Sequence, residues 1–279
     1  MAEPWTSDDL PPATSFGATD WLRIICRAVP LVIVLFGGLL VLLLIRLLER
    51  PLYGLRRPVT PFIVQYVSRV ALFLLGLRFH TVGCPMRSGG AIVANHASWL
   101  DIFALNARKR IYFVAKSEVS GWAGIGFLAR AAGTLFIRRD PRAAREHIAL
   151  FKSRLAVGHR LLFFPEGTST DGRRVLPFKP TLFAAFLDPA LRDSIAIQPV
   201  SVVYHAPAGA DPRFYGWWGD MEFAPHLLTI LAAKRQGGVT VIYHPPVQAA
   251  AFTDRKVLAK RLENTVRSGL ADHCGAQVA

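Results

Sequence analysis

The stretch Ala91-Ile92-Val93-Ala94-Asn95-His96-Ala97-Ser98-Trp99-Leu100-Asp101 decides how this 279-residue chain is read. Ala91–Ala94 is a short apolar run, the signature of a buried strand, and Trp99–Ala107 carries a helical pattern. The polar residues between them therefore sit where a strand hands over to a helix. From Thr81 onward the same alternation recurs. Further strands are expected at Ile111–Ala115, Thr134–Arg138, Arg160–Phe164, Ala196–Tyr204 and Val239–Tyr243. Further helices are expected at Gly121–Ala132, Arg142–Val157, Pro180–Leu187, His226–Lys234 and Arg255–Asp272. Strands alternating with helices predict an α/β fold, a mostly parallel sheet flanked by helices.

Composition narrows the function classes. The chain carries 33 Lys+Arg against 19 Asp+Glu, a net charge of +14, yet 52% of its residues are hydrophobic and only 19% are charged. That hydrophobicity excludes a disordered chain. Nucleic-acid binders draw their charge from a polar surface, and no recognition motif is present, so no nucleic-acid partner is expected. A positive and apolar chain fits an anionic membrane surface instead. Arginine dominates the basic set, which suits bidentate contacts to phosphate or carboxylate but equally follows from genomic base composition. The three cysteines, Cys26, Cys84 and Cys274, are far apart and suggest neither a disulfide framework nor a metal site.

The N-terminal part differs from the rest. Residues 1–22 hold Glu3, Asp8, Asp9 and Asp20 with no Lys or Arg, and read as a flexible acidic tail. Residues 23–80 read as membrane-anchoring helices. Within 24–48, Ala28 to Ile45 is uncharged and, at roughly 1.5 Å per residue, just long enough to cross a hydrocarbon core. Arg46, Arg50, Arg56 and Arg57 behind it outnumber Arg23 and Arg27 before it, which places the body in the cytoplasm, against the inner membrane, if the segment spans. Pro30 and Gly37-Gly38 leave a re-entrant hairpin as the alternative. Residues 60–79, with Phe62 to Phe79 broken by Gln65, Ser68, Arg69 and Arg78, read as an interfacial amphipathic helix. Residues 81–279 then form the α/β domain.

The chemistry-bearing residues lie beyond strand ends. In open α/β sheets ligands bind at the carboxyl ends of strands. His96, with Asp101 five residues on to orient it, has the makings of a general base. The competing reading is a capping box, Ser98-x-x-Asp101, that merely closes a helix N-terminus. Phe164-Pro165-Glu166-Gly167-Thr168-Ser169 follows another strand; as a bland reading it is a polar turn. Gly133-Thr-Leu-Phe-Ile-Arg138-Arg139 ends in paired arginines, either anion ligands or a solvated edge. Ile197-Gln-Pro199-Val-Ser-Val202 is a buried strand whose proline marks a bulge or an edge.

In this order, the blocks Asn95–Asp101, Gly133–Arg139, Phe164–Thr168 and Ile197–Val202 resemble those of the glycerolipid (lysophospholipid) acyltransferase family, of the bacterial 1-acylglycerol-3-phosphate type. The resemblance covers roughly residues 80–205. It implies the glycerolphosphate acyltransferase fold and assigns His96 as the base that deprotonates a lysolipid hydroxyl, with Asp101 fixing its tautomer. The hydroxyl would attack the thioester of acyl-CoA or acyl carrier protein, the co-substrate. Arg138, Arg139, Glu166, Gly167 and Thr168, with Arg173 or Arg174 from the same loop, would bind substrate, and backbone N–H groups near the helix start or the Gly167 turn would meet the oxyanion. No metal or dissociable cofactor is implied. One departure stands out: the family's third block often continues Glu-Gly-Thr-Arg-Ser, and here Ser169 replaces the arginine. The first expectation for the acceptor is 1-acylglycerol-3-phosphate. The alternative is a lyso-ornithine lipid, whose headgroup carries an ammonium and a carboxylate. The aromatic and acidic stretch Phe214–Glu222, outside the four blocks, is similar to one in lyso-ornithine lipid acyltransferases; its tryptophans equally suit a membrane interface.

Overall fold

The computed structural model describes residues 5–7, 15–122, 124–138 and 144–274. Its centre is an eight-stranded sheet. The strands are β1 (Arg78–Gly83), β2 (Gly90–Ala94), β3 (Tyr112–Lys116), β4 (Leu135–Ile137), β5 (Arg160–Phe163), β6 (Ala196–His205), β7 (Gly238–Tyr243) and β8 (Val247–Gln248). They lie in the order β1-β7-β6-β2-β5-β3-β4, with β8 added to β6. From β6 to β4 all neighbours are parallel, whereas β7 and β8 run antiparallel to β6. Every residue of β2 and β7 is buried, as the continuous apolar runs of covered strands require.

Helices cover both faces. On one, α3 (Asp101–Arg108) and α6 (Phe223–Ala232) pack with α1 (Ala18–Tyr53) and α2 (Thr60–Leu75). On the other, α5 (Ala144–Ala156) and α7 (Arg255–His273) close a second core around Phe151, Phe163 and Leu262. The short α4 (Ile125–Ala132) precedes β4.

Several boundaries differ from the sequence reading, each for a local reason. The helix expected to run to Phe79 stops at Leu75. Gly76 adopts the left-handed conformation there, and Leu77 N–H donates to the Leu72 carbonyl at 3.0 Å. Arg78 and Phe79 then belong to β1, paired with Gly238 and Val239, so the sheet begins before residue 81. Helix α1 begins at Ala18, upstream of residue 23, and runs unbroken through Pro30, Gly37 and Gly38 with no hairpin. Pro180–Leu187 winds as a 3-10 helix rather than an α-helix. Pro199 lies within the central strand β6. Its missing N–H falls between the residues paired to β8 (Ala196, Ile197) and those paired to β7 (Val200 onward), where it interrupts neither ladder.

Both ends of α1 are fastened to the same body. Near its start, Arg23 donates to the Ala232 carbonyl at 2.8 Å, and Arg27 to Leu231 and Ala233, each at 2.7 Å. These guanidiniums occupy the carboxyl end of α6, where unpaired carbonyls and the helix dipole favour cations. Near its end, buried Glu49 accepts from the N–H groups of Val59 and Thr60 and from the Thr60 hydroxyl, closing the amino end of α2. Ile24 and Leu31 are buried toward the body, whereas Leu22, Ile25, Val29, Phe36, Leu40, Leu44, Leu47 and Leu52 form an exposed apolar stripe at helical spacing.

Midway along this pair the helices approach closely at Gly38, where an added Cβ would lie 2.4 Å from Val67 Cγ2, while Gly37 has open space around it. Gly38→Leu is therefore expected to lower unfolding stability by about 1–3 kcal/mol. Gly37→Ala should be neutral or raise it by about 0.5–1 kcal/mol. Parallel denaturation of the two variants in the same detergent provides the check.

Candidate active site

Register assembles the site. β2 and β5 are parallel with Val93 opposite Phe163, so the chain leaves both strands side by side at one edge of the sheet. His96 and Glu166 thus stand at equivalent distances beyond two adjacent strands. Asn95 fixes the start of the first loop: its side chain donates to the Val202 carbonyl at 2.9 Å and accepts from Val202 N–H at 2.8 Å, continuing the β2–β6 ladder by one side-chain rung.

His96 Nδ1 lies 2.7 Å from Asp101 Oδ2. The same oxygen accepts from the N–H groups of Ala97 at 2.9 Å and Ser98 at 3.1 Å, and Oδ1 accepts from the Tyr204 hydroxyl at 2.8 Å. Asp101 is fully buried and the His96 side chain is 23% exposed. An ionised Asp101 accepts only, so Nδ1 carries the proton and Nε2 is left as the basic nitrogen. Among the described residues Nε2 has no hydrogen-bond partner. The ring stacks on Phe164 at 4.1 Å and 12°, which sets its plane. Burial and the neighbouring carboxylate raise the Tyr204 phenol well above its ordinary range, so it stays a donor at any working pH.

The capping and catalytic readings of Asp101 prove compatible, because its carboxylate closes the turn before α3 and holds the imidazole at once. Ser98 differs. Its hydroxyl makes no capping bond and, although buried, has no partner among the described residues.

The other expected residues divide. Glu166 is buried beneath the loop, with Oε1 accepting from His96 N–H and Oε2 from Leu176 N–H, each at 2.7 Å. Burial pushes its carboxyl up to about 8, opposed by the two backbone donors. Each oxygen thus accepts one backbone N–H, and Glu166 braces the backbone of His96 from a buried position. Gly167 takes a left-handed turn, its N–H donating to the Phe164 carbonyl at 3.1 Å. Its amide is thus engaged, as are those of Ala97 and Ser98, whereas among the described residues the N–H groups of Thr168 and Ser169 have no partner. Thr170 N–H donates to the His96 carbonyl at 2.9 Å, wrapping the second loop around the first.

Arg174 forms an ion pair with buried Asp171 at 2.9 Å and lies over the ring of Trp5, 4.8 Å from its centroid. Arg173 reaches away, donating to the Cys274 carbonyl at 3.1 Å. Arg138 leaves β4 on the same sheet edge as His96 but three strands away, ~14 Å laterally. It is 69% exposed and 3.3 Å from Glu146. Arg139 lies outside the described residues. The structure therefore brings His96 and Asp101 together beside the Gly167 turn, pairs Arg174 with Asp171, turns Arg173 toward Cys274 and leaves Arg138 three strands away.

Tyr204, Phe164 and Asp171 were not singled out from sequence. For Tyr204 the signal was the alternation Val200, Val202, Tyr204, which places the only polar group of the three on the α3 face of β6. The segment outside the four blocks is also part of this neighbourhood. Trp217 N–H donates to the Ala97 carbonyl at 2.8 Å, Trp218 is buried, and Trp5 packs against Trp218 at 6.1 Å. Trp99 donates through Nε1 to His226 Nδ1 at 3.0 Å, and burial pulls that imidazole down to about 4, keeping it a neutral acceptor.

Known proteins share this frame. A solved structure, the 1-acyl-sn-glycerophosphate (LPA) acyltransferase PlsC from Thermotoga maritima, superposes with a TM-score of 0.67 over 93% of this chain and 98% of its own, at 21% identity. It has the same fold. A 1-acyl-sn-glycerol-3-phosphate acyltransferase of Neisseria gonorrhoeae is 32% identical over 190 residues, 66% of this chain and 71% of that protein. A lyso-ornithine lipid O-acyltransferase of Rhodobacter capsulatus is 53% identical over 266 residues, 95% of this chain and 96% of that protein. The acyltransferase family profile matches residues 79–203, the span from β1 through most of β6 that carries the dyad and both of its loops. With a buried carboxylate, an oriented imidazole and a relative matched over nearly its whole length, the chain belongs to the acyltransferase family.

Proposed function

We propose that this protein transfers a fatty acyl group from the thioester of acyl-CoA or acyl carrier protein to the free hydroxyl of a lyso-ornithine lipid. The observation that carries the reaction is the His96 imidazole, held by Asp101 through Nδ1 with Nε2 open. Nε2 removes the hydroxyl proton as the oxygen attacks the thioester carbonyl. The tetrahedral oxyanion is met by the free N–H groups of Thr168 and Ser169. Its collapse expels the thiolate, which takes the proton back from the imidazolium. Asp101 stabilises that imidazolium and stays ionised. No covalent acyl-enzyme is required, and the step as written uses no metal or cofactor.

The acceptor weighed second in the sequence is the one now favoured. The R. capsulatus relative supports it, and so does Ser169 at the place of the arginine that a phosphate acceptor would call for. The segment Phe214–Glu222, joined to Ala97 through Trp217, adds the exposed acids Asp220 and Glu222 near the dyad, a suitable partner for an ammonium headgroup.

The same geometry bears on how the protein meets a membrane. A helix fastened at both ends to one body cannot cross a bilayer and leave that body on one side. We propose instead that α1 and α2 lie in a single leaflet, with the apolar stripe of α1 and the exposed Phe62, Tyr66 and Phe73 of α2 in the acyl region. The acyl donors are cytoplasmic, which supports the inner membrane and its cytoplasmic leaflet. The acceptor then reaches the site without entering water.

His96→Ala should lower kcat at least about 10²–10⁴-fold while leaving the protein membrane-bound, as read by labelled acyl transfer and by fractionation. Full activity in that variant would eliminate the mechanism. Tyr204→Phe removes one donor from Asp101 and loosens the carboxylate that holds His96 Nδ1, so kcat should fall roughly tenfold with KM little changed. An unchanged kcat would mean that Tyr204 only packs. Ser169→Arg should raise the use of lysophosphatidate relative to lyso-ornithine lipid; an unchanged ratio would count against position 169 as a headgroup determinant.

A further inference from the structure

At the amino ends of β3 and β5, the sheet edge opposite His96, the loop joining α1 to α2 closes over a hollow of about 380 Å³. Arg56, Arg57, Arg110 and Arg160 line it together with Tyr112 and His159, and among its described lining residues there is no Asp or Glu. Three of these arginines are held in place without being neutralised. Arg57 donates to the Ala131 carbonyl at 3.0 Å, Arg160 to the carbonyls of Met86 and Arg87, and Arg110 lies over the Phe62 ring, 4.0 Å from its centroid. Behind them Arg154 donates to His159 Nδ1 at 2.8 Å and to the Gly133 carbonyl at 2.9 Å. The nearby carboxylate, Glu49, is already engaged by Val59, Thr60 and Arg46. Burial, with the neighbouring guanidiniums, pulls His159 down to about 3, and burial brings Arg154 down to about 10. The local surplus is therefore positive and only an anion from outside can balance it.

The rim says which anion. Tyr53 is 54% exposed and Leu52 73%, and with Leu55, Val59 and Phe62 they continue the apolar face of α1 and α2 to the mouth of the hollow. A phosphate arriving there has hydrocarbon beside it. It is also far from the chemistry, since the five residues of β2 separate this edge from His96 by roughly 16 Å. We propose that this hollow binds the phosphate of a resident anionic phospholipid, distinct from the acceptor, and so fixes the depth and orientation of the enzyme in its leaflet. Guanidinium pairs on a phosphodiester are bidentate and specific, unlike the diffuse attraction of a basic surface.

The test uses the full-length protein and co-flotation with vesicles of phosphatidylcholine alone or enriched in phosphatidylglycerol. With no donor or acceptor present, the outcome does not depend on the acyl-transfer reading. The variant is Arg56→Glu/Arg110→Glu, and the charge-matched control is Arg255→Glu/Lys256→Glu at the exposed start of α7. The hollow variant should bind phosphatidylglycerol vesicles at least about tenfold more weakly than wild type, with binding to phosphatidylcholine unchanged. The control should lose much less. Arg56→Gln/Arg110→Gln, which removes charge without reversing it, should give a smaller loss in the same direction. Equal losses in the hollow variant and the control would reduce the effect to net charge and overturn the proposal. So would unchanged phosphatidylglycerol binding in a variant that no longer binds adenosine 3′,5′-bisphosphate, which would make this a nucleotide site.

Discussion

The buried carboxylate of Asp101 is the constraint on which the site depends. Removing a carboxylate from water costs several kcal/mol, and this one is compensated by four donors, two from its own backbone turn, one from His96 and one from Tyr204 on β6. Each donor is fixed by a different part of the fold. The turn is set by the exit from β2, Tyr204 by the β2–β6 register and the imidazole by its stack on Phe164. Charge-assisted hydrogen bonds of about 1.5–3 kcal/mol each make the arrangement mutually reinforcing. The base is preorganised because the acid that orients it also closes the start of α3.

A second layer of support is less visible from the chemistry. Glu166 reaches under the first loop to hold the His96 backbone, and Thr170 returns a bond to the His96 carbonyl. Engaged amides at Ala97, Ser98 and Gly167 leave those of Thr168 and Ser169 for the oxyanion that the proposed reaction forms. The exposed stripe of α1 lies along the same body, so the dyad and the face proposed to meet the membrane move as one unit. That unity suits an acceptor that never leaves the bilayer.

Much of this was legible in the sequence. Short apolar runs bounded by polar loops located six strands, and His96 with Asp101 stood out at a strand end. What escaped notice has physical reasons. β1 was hidden because Leu77 and Phe79 continue the apolar run of α2, and only Gly76 marks the break. Gly37-Gly38 suggested a hairpin, yet a glycine pair serves equally to let two helices touch, and contact with Val67 is not encoded locally. Glu166 carried the residue type of a substrate ligand, but its burial depends on the loop reaching Leu176. Tyr204 is separated from Asp101 by 103 positions, a pairing that only the β2–β6 register creates. The acidic tail looked unattached, and Trp5 packs against Trp218 and Arg174 through contacts no spacing rule anticipates. The tally of arginines was informative only once divided by place. Arg23 and Arg27 cap α6, Arg174 pairs with Asp171, and Arg56, Arg57, Arg110 and Arg160 gather at the far edge.

The central claim is an acyl transfer to a membrane-held acceptor whose headgroup is not a phosphate. It is tested most directly by kcat/KM of the purified protein, with one labelled acyl donor, for lyso-ornithine lipid and for 1-acylglycerol-3-phosphate presented in the same mixed micelles. The account predicts clear preference for lyso-ornithine lipid. Equal or better use of 1-acylglycerol-3-phosphate would contradict it.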